Sequence, residues 1–532
     1  MHTLRAPLRV GPEERYGPMF KAFCGRLYFN LAQVRHLCAL NGTAPAEILR
    51  SMGHAAEIDP ADEKPSLAPV SERLSVLPDM LRLVWRDLRA PRLLRDLQQM
   101  TSAMQSRLTA ADPRSLTSPD VWAVLEDWWR NVPETMKTVL MLSGVVFHEA
   151  PVRKLCAKVG LPFEQVVYPQ LAVGERSISA QQAFDLVSLA EQARGDDRVI
   201  KCLEGELPDL KALRQQLEGT PFLAAFERFL AQYGHRGLYE SDWALPRYSE
   251  DPTPLLEAIR MHLQTETEVS SSVRARQQQA ALDAWTMFEQ RLTRSQRWTV
   301  LPRVRRGIRT IKQYYVWREQ VRFDLIKILS SLRVWHLALA DRFVSEGWID
   351  RSDDYFLLEL REVGAAIRDR RHAGALRQIV ERRTAERERN RALTMPLLMH
   401  ESDLARLIRT AAVNGAPAES QLSGHPVSGG VVEAEVVVVH DPGDFSRMRR
   451  GAILVARATD PSWTPLFTLA SGVIVEVGGV LSHASTIARE YGLPALANVR
   501  RATRTLKTGE RVRLDALRGV VERIGQVARA AA

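Results

Sequence analysis

The chain has 532 residues, 45% of them hydrophobic and 26% charged, an ordinary globular mixture. That length exceeds what one hydrophobic core supports, so two or more domains are expected. No apolar run approaches a membrane span, and Met1 to Pro7 lacks the apolar core of a secretory signal, so neither a membrane nor export is expected.

The formal charge of +10 suits anionic small substrates or a basic solvated surface. No helix-turn-helix, zinc or aromatic-platform signature accompanies it, so nucleic acid is not an expected partner. Cys24, Cys38, Cys156 and Cys202 are scattered without CxxC spacing. They imply a reduced, cytoplasmic setting, with no disulfide framework and no metal site.

In chain order, Phe23 to Leu31 reads as a short extended piece followed by a helix, with Asn30 as a helix cap. Glu57 to Val70 is acidic and proline-bearing, hence a loop. From Ser71 to Glu149 the apolar spacing is helical, and Val84, Trp85, Leu88, Leu93, Leu94, Leu97 and Met100 predict a buried stripe. Trp122, Leu125, Trp128 and Trp129 read as core, or as the wall of an apolar substrate site. His148-Glu149 is no zinc motif, because no second histidine follows at helical spacing. Further helices run from Ser177 to Leu230.

The stretch Tyr233 to Pro252 is dense in glycine, charge and aromatics, the composition of a functional loop. His235 is a candidate general base there, with Glu240 and Asp242 as candidate acid–base groups; caps and salt links are an equal reading. Ser270 to Arg294 is a polar helix. Arg303 to Arg322 is strongly basic, and Arg318 and Arg322 stand one helical turn apart. Two guanidinium groups on one face suit a transferring phosphate, although most charge runs are solvated faces. Arg368 to Arg391 reads as an exposed helix. Asn414 to Gly424 is small and polar and predicts a hinge. After it the period becomes that of strands, at 431–439, 452–456, 473–477, 495–499, 512–514 and 520–524.

The stretch Gly472 to Ala495 combines a β-branched strand, a Gly478-Gly479 turn, Ser482 as N-cap and His483 in the first helical turn. Gly492 and Pro494 end the helix. The glycines permit positive φ or close backbone approach. A helix start offers free N–H groups and partial positive charge to a phosphate. A neutral imidazole there can attack phosphorus. A lone histidine after a glycine turn is more often structural, and spacing alone leaves that alternative open.

Thr459-Asp460-Pro461-Ser462-Trp463-Thr464-Pro465, Gly478-Gly479, Leu481-Ser482-His483-Ala484, Ala488-Arg489-Glu490 and Gly492-Leu493-Pro494-Ala495 together closely resemble the swivelling phosphohistidine domain of the phosphoenolpyruvate-utilising enzymes. The resemblance implies that His483 carries a phosphoryl group, with Thr459, Ser482 and Arg489 as phosphate or orientation residues. Serine at 485 replaces the usual alanine, a change expected to be silent. The 233–252 loop resembles the middle domain of rifampicin phosphotransferase-like proteins, which implies a substrate-binding role for His235, Arg236, Glu240 and Asp242. Trp317-Arg318-Glu319 resembles the same domain, where an Arg-Glu pair faces the docked phosphohistidine. By that resemblance Arg318 and Glu319 are catalytic, with Glu319 deprotonating a hydroxyl or orienting His483.

These readings give a multidomain chain: a mainly helical acceptor domain (1–413), a hinge (414–424) and a small α/β swivelling domain (425–532). The first 400 residues show neither a Walker-type loop nor the strand–helix alternation of an ATP-grasp fold. ATP and Mg²⁺ are therefore expected on a separate ATP-grasp partner, in the split arrangement of phenylphosphate synthase. The expected function is a phosphotransferase subunit passing phosphate through His483 to a small-molecule acceptor; Trp85, Trp122, Trp243 and Trp317 fit an aromatic acceptor and core packing equally. The alternative is a non-catalytic scaffold or regulatory protein of the same descent.

Overall fold

A computed structural model describes residues 17–18, 20–46, 49, 60–75, 77–142, 145–173, 177–263, 270–393, 395, 399–410, 421–440, 442–459, 463–479 and 482–524. The hinge proposed from sequence falls largely on 411–420, outside the described residues. So do Asp460 to Ser462 and Val480-Leu481 of the quoted motifs.

A two-stranded antiparallel hairpin, β1 (Phe20–Phe23) and β2 (Arg26–Phe29), opens the described chain. The helix Leu31–Asn41 follows, and the Asn30 carboxamide caps it by accepting from Ala32 N at 3.1 Å. A large helical region then surrounds one 45-residue helix, Leu301–Ser345, called here the spine. Two apolar clusters lie along it. One joins Ile308, Ile311 and Tyr315 to Phe163 and Val166. The other joins Leu332, Trp335 and Phe343 to Trp122, Leu125 and Trp128. A spine of that length buries a stripe on several sides at once, which sets the loops and helices around it in register.

The expected stripe from Val84 to Met100 divides. Leu94 and Leu97 are buried, whereas Trp85, Leu88 and Met100 are exposed. The chain breaks at Arg89, between helices Leu77–Leu88 and Ala90–Thr109, so the two halves cannot share one helical face. The Arg89 guanidinium covers the exposed Trp85 ring at 3.7 Å. The expected helix from Arg368 to Arg391 is also interrupted. Asp369 caps a 3₁₀ turn, Arg370–Ala375, by accepting from Arg371 N, and a new helix starts at Leu376.

The last region is one eight-stranded sheet in the order β3-β10-β9-β5-β6-β7-β8-β4. Its strands are β3 (Gln421–Ser423), β4 (His425–Ser428), β5 (Val431–Val439), β6 (Ile453–Ala456), β7 (Gly472–Val475), β8 (Ala495–Ala497), β9 (Arg511–Asp515) and β10 (Val520–Arg523). β5 to β8 run parallel and the flanking strands antiparallel. β6 and β7 are buried on both faces, as a parallel sheet under two covering layers demands.

The sheet region is docked on the helical region. Ala180 and Ala183 share a core cluster with Val473, Ile487 and Tyr491. Phe184 stacks on Tyr491 with centroids 5.1 Å apart. Thr468 Oγ1 and His262 Nε2 lie 2.9 Å apart across the same seam. Among the described residues no helix is long and apolar enough to cross a membrane.

Candidate functional site

His483 is the first residue of the helix His483–Tyr491, which follows β7 through a turn at Gly478. Ser482 is the N-cap, its hydroxyl accepting from Ser485 N at 3.4 Å. Gly478 serves by close approach and not by positive φ: a Cβ there would stand 2.9 Å from Ser482 Oγ. Gly492 closes the helix in the left-handed region at φ 65°, where glycine is favoured.

Serine at 485 is not silent. Its hydroxyl donates to Gly479 O at 2.7 Å and lies 2.9 Å from Ser482 Oγ, so it stitches the glycine turn to the cap.

Two threonines hold the imidazole. Thr459 Oγ1 lies 3.2 Å from Nδ1, and Thr464 Oγ1 lies 3.1 Å from Nε2. In a neutral ring, one nitrogen donates to its threonine and the other accepts from its threonine. Phe467 meets the ring edge-on at 5.7 Å. Burial holds the imidazole well below the ordinary histidine range, and the positive charges of Arg322, Arg236 and Arg318 push it lower still. The ring is therefore neutral at physiological pH, the form with a lone pair to attack phosphorus.

Those arginines come from the helical region. Glu240 joins two of them: Arg236 Nε donates to Oε2 at 2.9 Å and Arg322 Nε to Oε1 at 3.0 Å. Burial pushes the Glu240 carboxyl up, but the two guanidiniums outweigh it and hold it below the usual range. Arg236 Nη1 also donates to Gln182 Oε1 at 2.8 Å. Ser179 Oγ donates to Glu319 Oε2 at 3.1 Å, which ties Glu319 to the same network. Arg318 differs from its neighbours. Its Nη1 is buried and has no hydrogen-bond partner among the described residues. An orphaned guanidinium nitrogen is costly unless a further acceptor arrives.

The other predicted residues are distributed. Arg489 lies in the seam, its guanidinium 4.7 Å from the Tyr168 ring and 5.4 Å from Tyr315. Asp242 is exposed, and its carboxylate accepts from Ala244 N at 2.9 Å within a turn. His235 meets Phe323 edge-on at 4.6 Å, with a buried Nε2 that lacks a partner among the described residues. Burial, assisted by Arg236 and Lys327, pushes it down to about 3, so it is neutral. Sequence reasoning assigned no role to Thr464, Ser179, Gln182 or Glu490. Thr464 sits inside the quoted Thr459–Pro465 motif, and that was its only signal. Among the described residues no group of His, Cys, Asp or Glu side chains could hold a metal ion.

Residues 152–319 match the fourth domain of rifampicin phosphotransferase, and residues 448–519 match the mobile domain of PEP-utilising enzymes. The second match contains Thr459, the glycine turn and His483; the first ends at Glu319. A rifampicin phosphotransferase of Streptomyces sviceus is 30% identical over 65% of this chain and 40% of its own length. One from Bacillus subtilis is 29% identical over the same shares. The prodigiosin synthesizing transferase PigC of Serratia marcescens is 28% identical over 56% of this chain and 33% of its own. The chain thus spans about 40% of the length of the rifampicin phosphotransferases it matches.

Proposed function

We propose that the chain is a phosphotransferase subunit in which His483 carries a phosphoryl group from ATP to a small-molecule acceptor. The ATP and its Mg²⁺ belong to a separate ATP-grasp partner in this reading, and no residue of this chain is assigned to them. The observation that carries the proposal is the meeting of a neutral, threonine-held imidazole with the positive field of Arg236, Arg318 and Arg322, one nitrogen of Arg318 being unsatisfied among the described residues.

In the first half, an imidazole nitrogen attacks the phosphorus, an N–P bond forms and the donor's P–O bond breaks. The threonine on that nitrogen must let go, and its hydroxyl becomes free to donate to a phosphoryl oxygen. In the second half, the acceptor oxygen attacks. The N–P bond breaks with its electron pair returning to the ring, the P–O bond forms, and the hydroxyl proton passes to Glu319. Arg318 and Arg322 neutralise charge on the transferring oxygens, the largest contribution such a site offers. Movement of the sheet region between donor and acceptor takes place, in this reading, about the 414–424 linker.

The test is incubation with labelled ATP and the candidate ATP-grasp partner. Acid-labile label on the wild-type chain, absent from His483→Ala, supports the relay. Full acceptor phosphorylation by His483→Ala would overturn it. Absence of label from every variant would favour the scaffold reading.

A further inference from the structure

A cavity of about 400 Å³ lies in the seam between the spine and the histidine helix. Both regions wall it, so it is complete only in the docked arrangement. Its lining changes character along the spine. Arg309 and Lys312 stand at one end, Val316 and Trp317 in the middle, and Glu319 at the other. Thr486, Arg489 and Glu490 of the histidine helix form the facing wall, with Glu490 near Glu319. From Lys312 to Glu319 the helix rises about 10 Å.

Three observations point to a ligand there. Thr486 Oγ1 is buried without a hydrogen-bond partner among the described residues. Thr486 and Glu490 lie three and seven residues after His483, on the stripe of the helix that begins with the imidazole. The cations at the far end have no carboxylate within ion-pair distance among the described residues; Lys312 Nζ donates only to Val173 O, at 3.0 Å. Glu319 and Glu490 stand together at the other end, with Arg489 also in the lining. Ser177 Oγ donates to Glu490 Oε2 at 3.1 Å, and burial with the nearby Glu319 charge pushes Glu490 up to about 7.

We propose that this seam cavity is the acceptor site and that the acceptor is an amphipathic hydroxy acid. Its hydroxyl lies at the Glu319 end, its apolar body along Val316 and Trp317, and its anionic group at Arg309 and Lys312. The inference rests on the phosphohistidine relay above and deepens it. The hydroxyl loses its proton to Glu319 as its oxygen takes the phosphoryl group from His483, as already balanced. Because the site needs both walls, the ligand stabilises the docked arrangement by the free energy of its own binding.

The probe is 3-(4-hydroxyphenyl)propanoate, whose hydroxyl and carboxylate stand roughly as far apart as Glu319 and Lys312. Binding is followed by Trp317 fluorescence and calorimetry, compared with the methyl ester. The acid should bind the wild-type chain at least tenfold more tightly than the ester. In the Arg309→Glu/Lys312→Glu double variant that preference should vanish, with partner-driven labelling of His483 unchanged. Val316→Trp should exclude both compounds while keeping that labelling. Equal binding of acid and ester by the wild type, or unaltered binding by Val316→Trp, overturns the assignment. Loss of His483 labelling in the wild type strikes the relay itself, whereas intact labelling with no acid preference strikes only the cavity.

Discussion

Glu240 offers the sharpest test of the arginine network. It is fully buried and holds Arg236, itself only 3% exposed, together with Arg322, which is 34% exposed. Glu240→Gln keeps the shape and removes the charge. Arg236 then remains buried beside a neutral amide, and breaking a buried pair in this way costs about 3 to 5 kcal/mol. Arg322 can turn toward water, so its removal is a different experiment. Arg322→Gln leaves the Arg236–Glu240 pair intact and should cost less than about 1 kcal/mol. Urea denaturation at pH 7.5, followed by tryptophan fluorescence, separates the two. Stability from Glu240 is fully present above the ordinary carboxylate range and is lost as pH falls through its depressed native value. The deficit of Glu240→Gln should therefore shrink only in strong acid. Equal deficits for the two variants, or a Glu240→Gln deficit below about 1 kcal/mol, would refute the view that Glu240 anchors this network.

Thr464→Val and Thr459→Val should each slow His483 phosphorylation by about tenfold, the loss of one positioning hydrogen bond, in a single-turnover labelling assay. Ser485→Ala should lower stability by about 1 kcal/mol in the same urea experiment, since it unstitches Gly479 from the cap. His235 and His336 are held down to about 3 and His262 to about 4, by burial in each case. The unfolded chain binds protons that these rings refuse, so their contribution is lost as pH falls below about 6.5. His336→Phe should make the measured stability less sensitive to pH between about 4 and about 6.5. Glu490 acts in the opposite sense. Its native carboxyl binds a proton more tightly than the unfolded one, so its contribution falls as pH rises toward 7, and Glu490→Gln should flatten that slope.

Much of the sheet region was legible because its signals are local. The Val473–Val475 strand, the Ser482 cap and the Gly492 stop each follow from a residue's own backbone preference. The two flanking strands, Gln421–Ser423 and His425–Ser428, were not, because a proline and a glycine interrupt them and their partners lie some 70 to 100 positions away. In the helical region the helices were readable from their period, but which face each one buries was not. Trp85 and Leu88 satisfy the apolar pattern and still face outward. For the site, His483 and Arg318 carried sequence signals. The bonds from Ser179 to Glu319 and from Ser177 to Glu490 did not, since they join positions more than a hundred residues apart.

The Phe184–Tyr491 stack gives the docked sheet region a thermal signature. Parting those rings, and the alanines packed beside them, wets apolar surface and should raise the heat capacity. Cooling weakens apolar association, so the parked position should loosen in the cold. In the relay proposed above, a sheet region leaving this apolar berth once per cycle would give a turnover whose temperature dependence is set as much by departure as by bond-making.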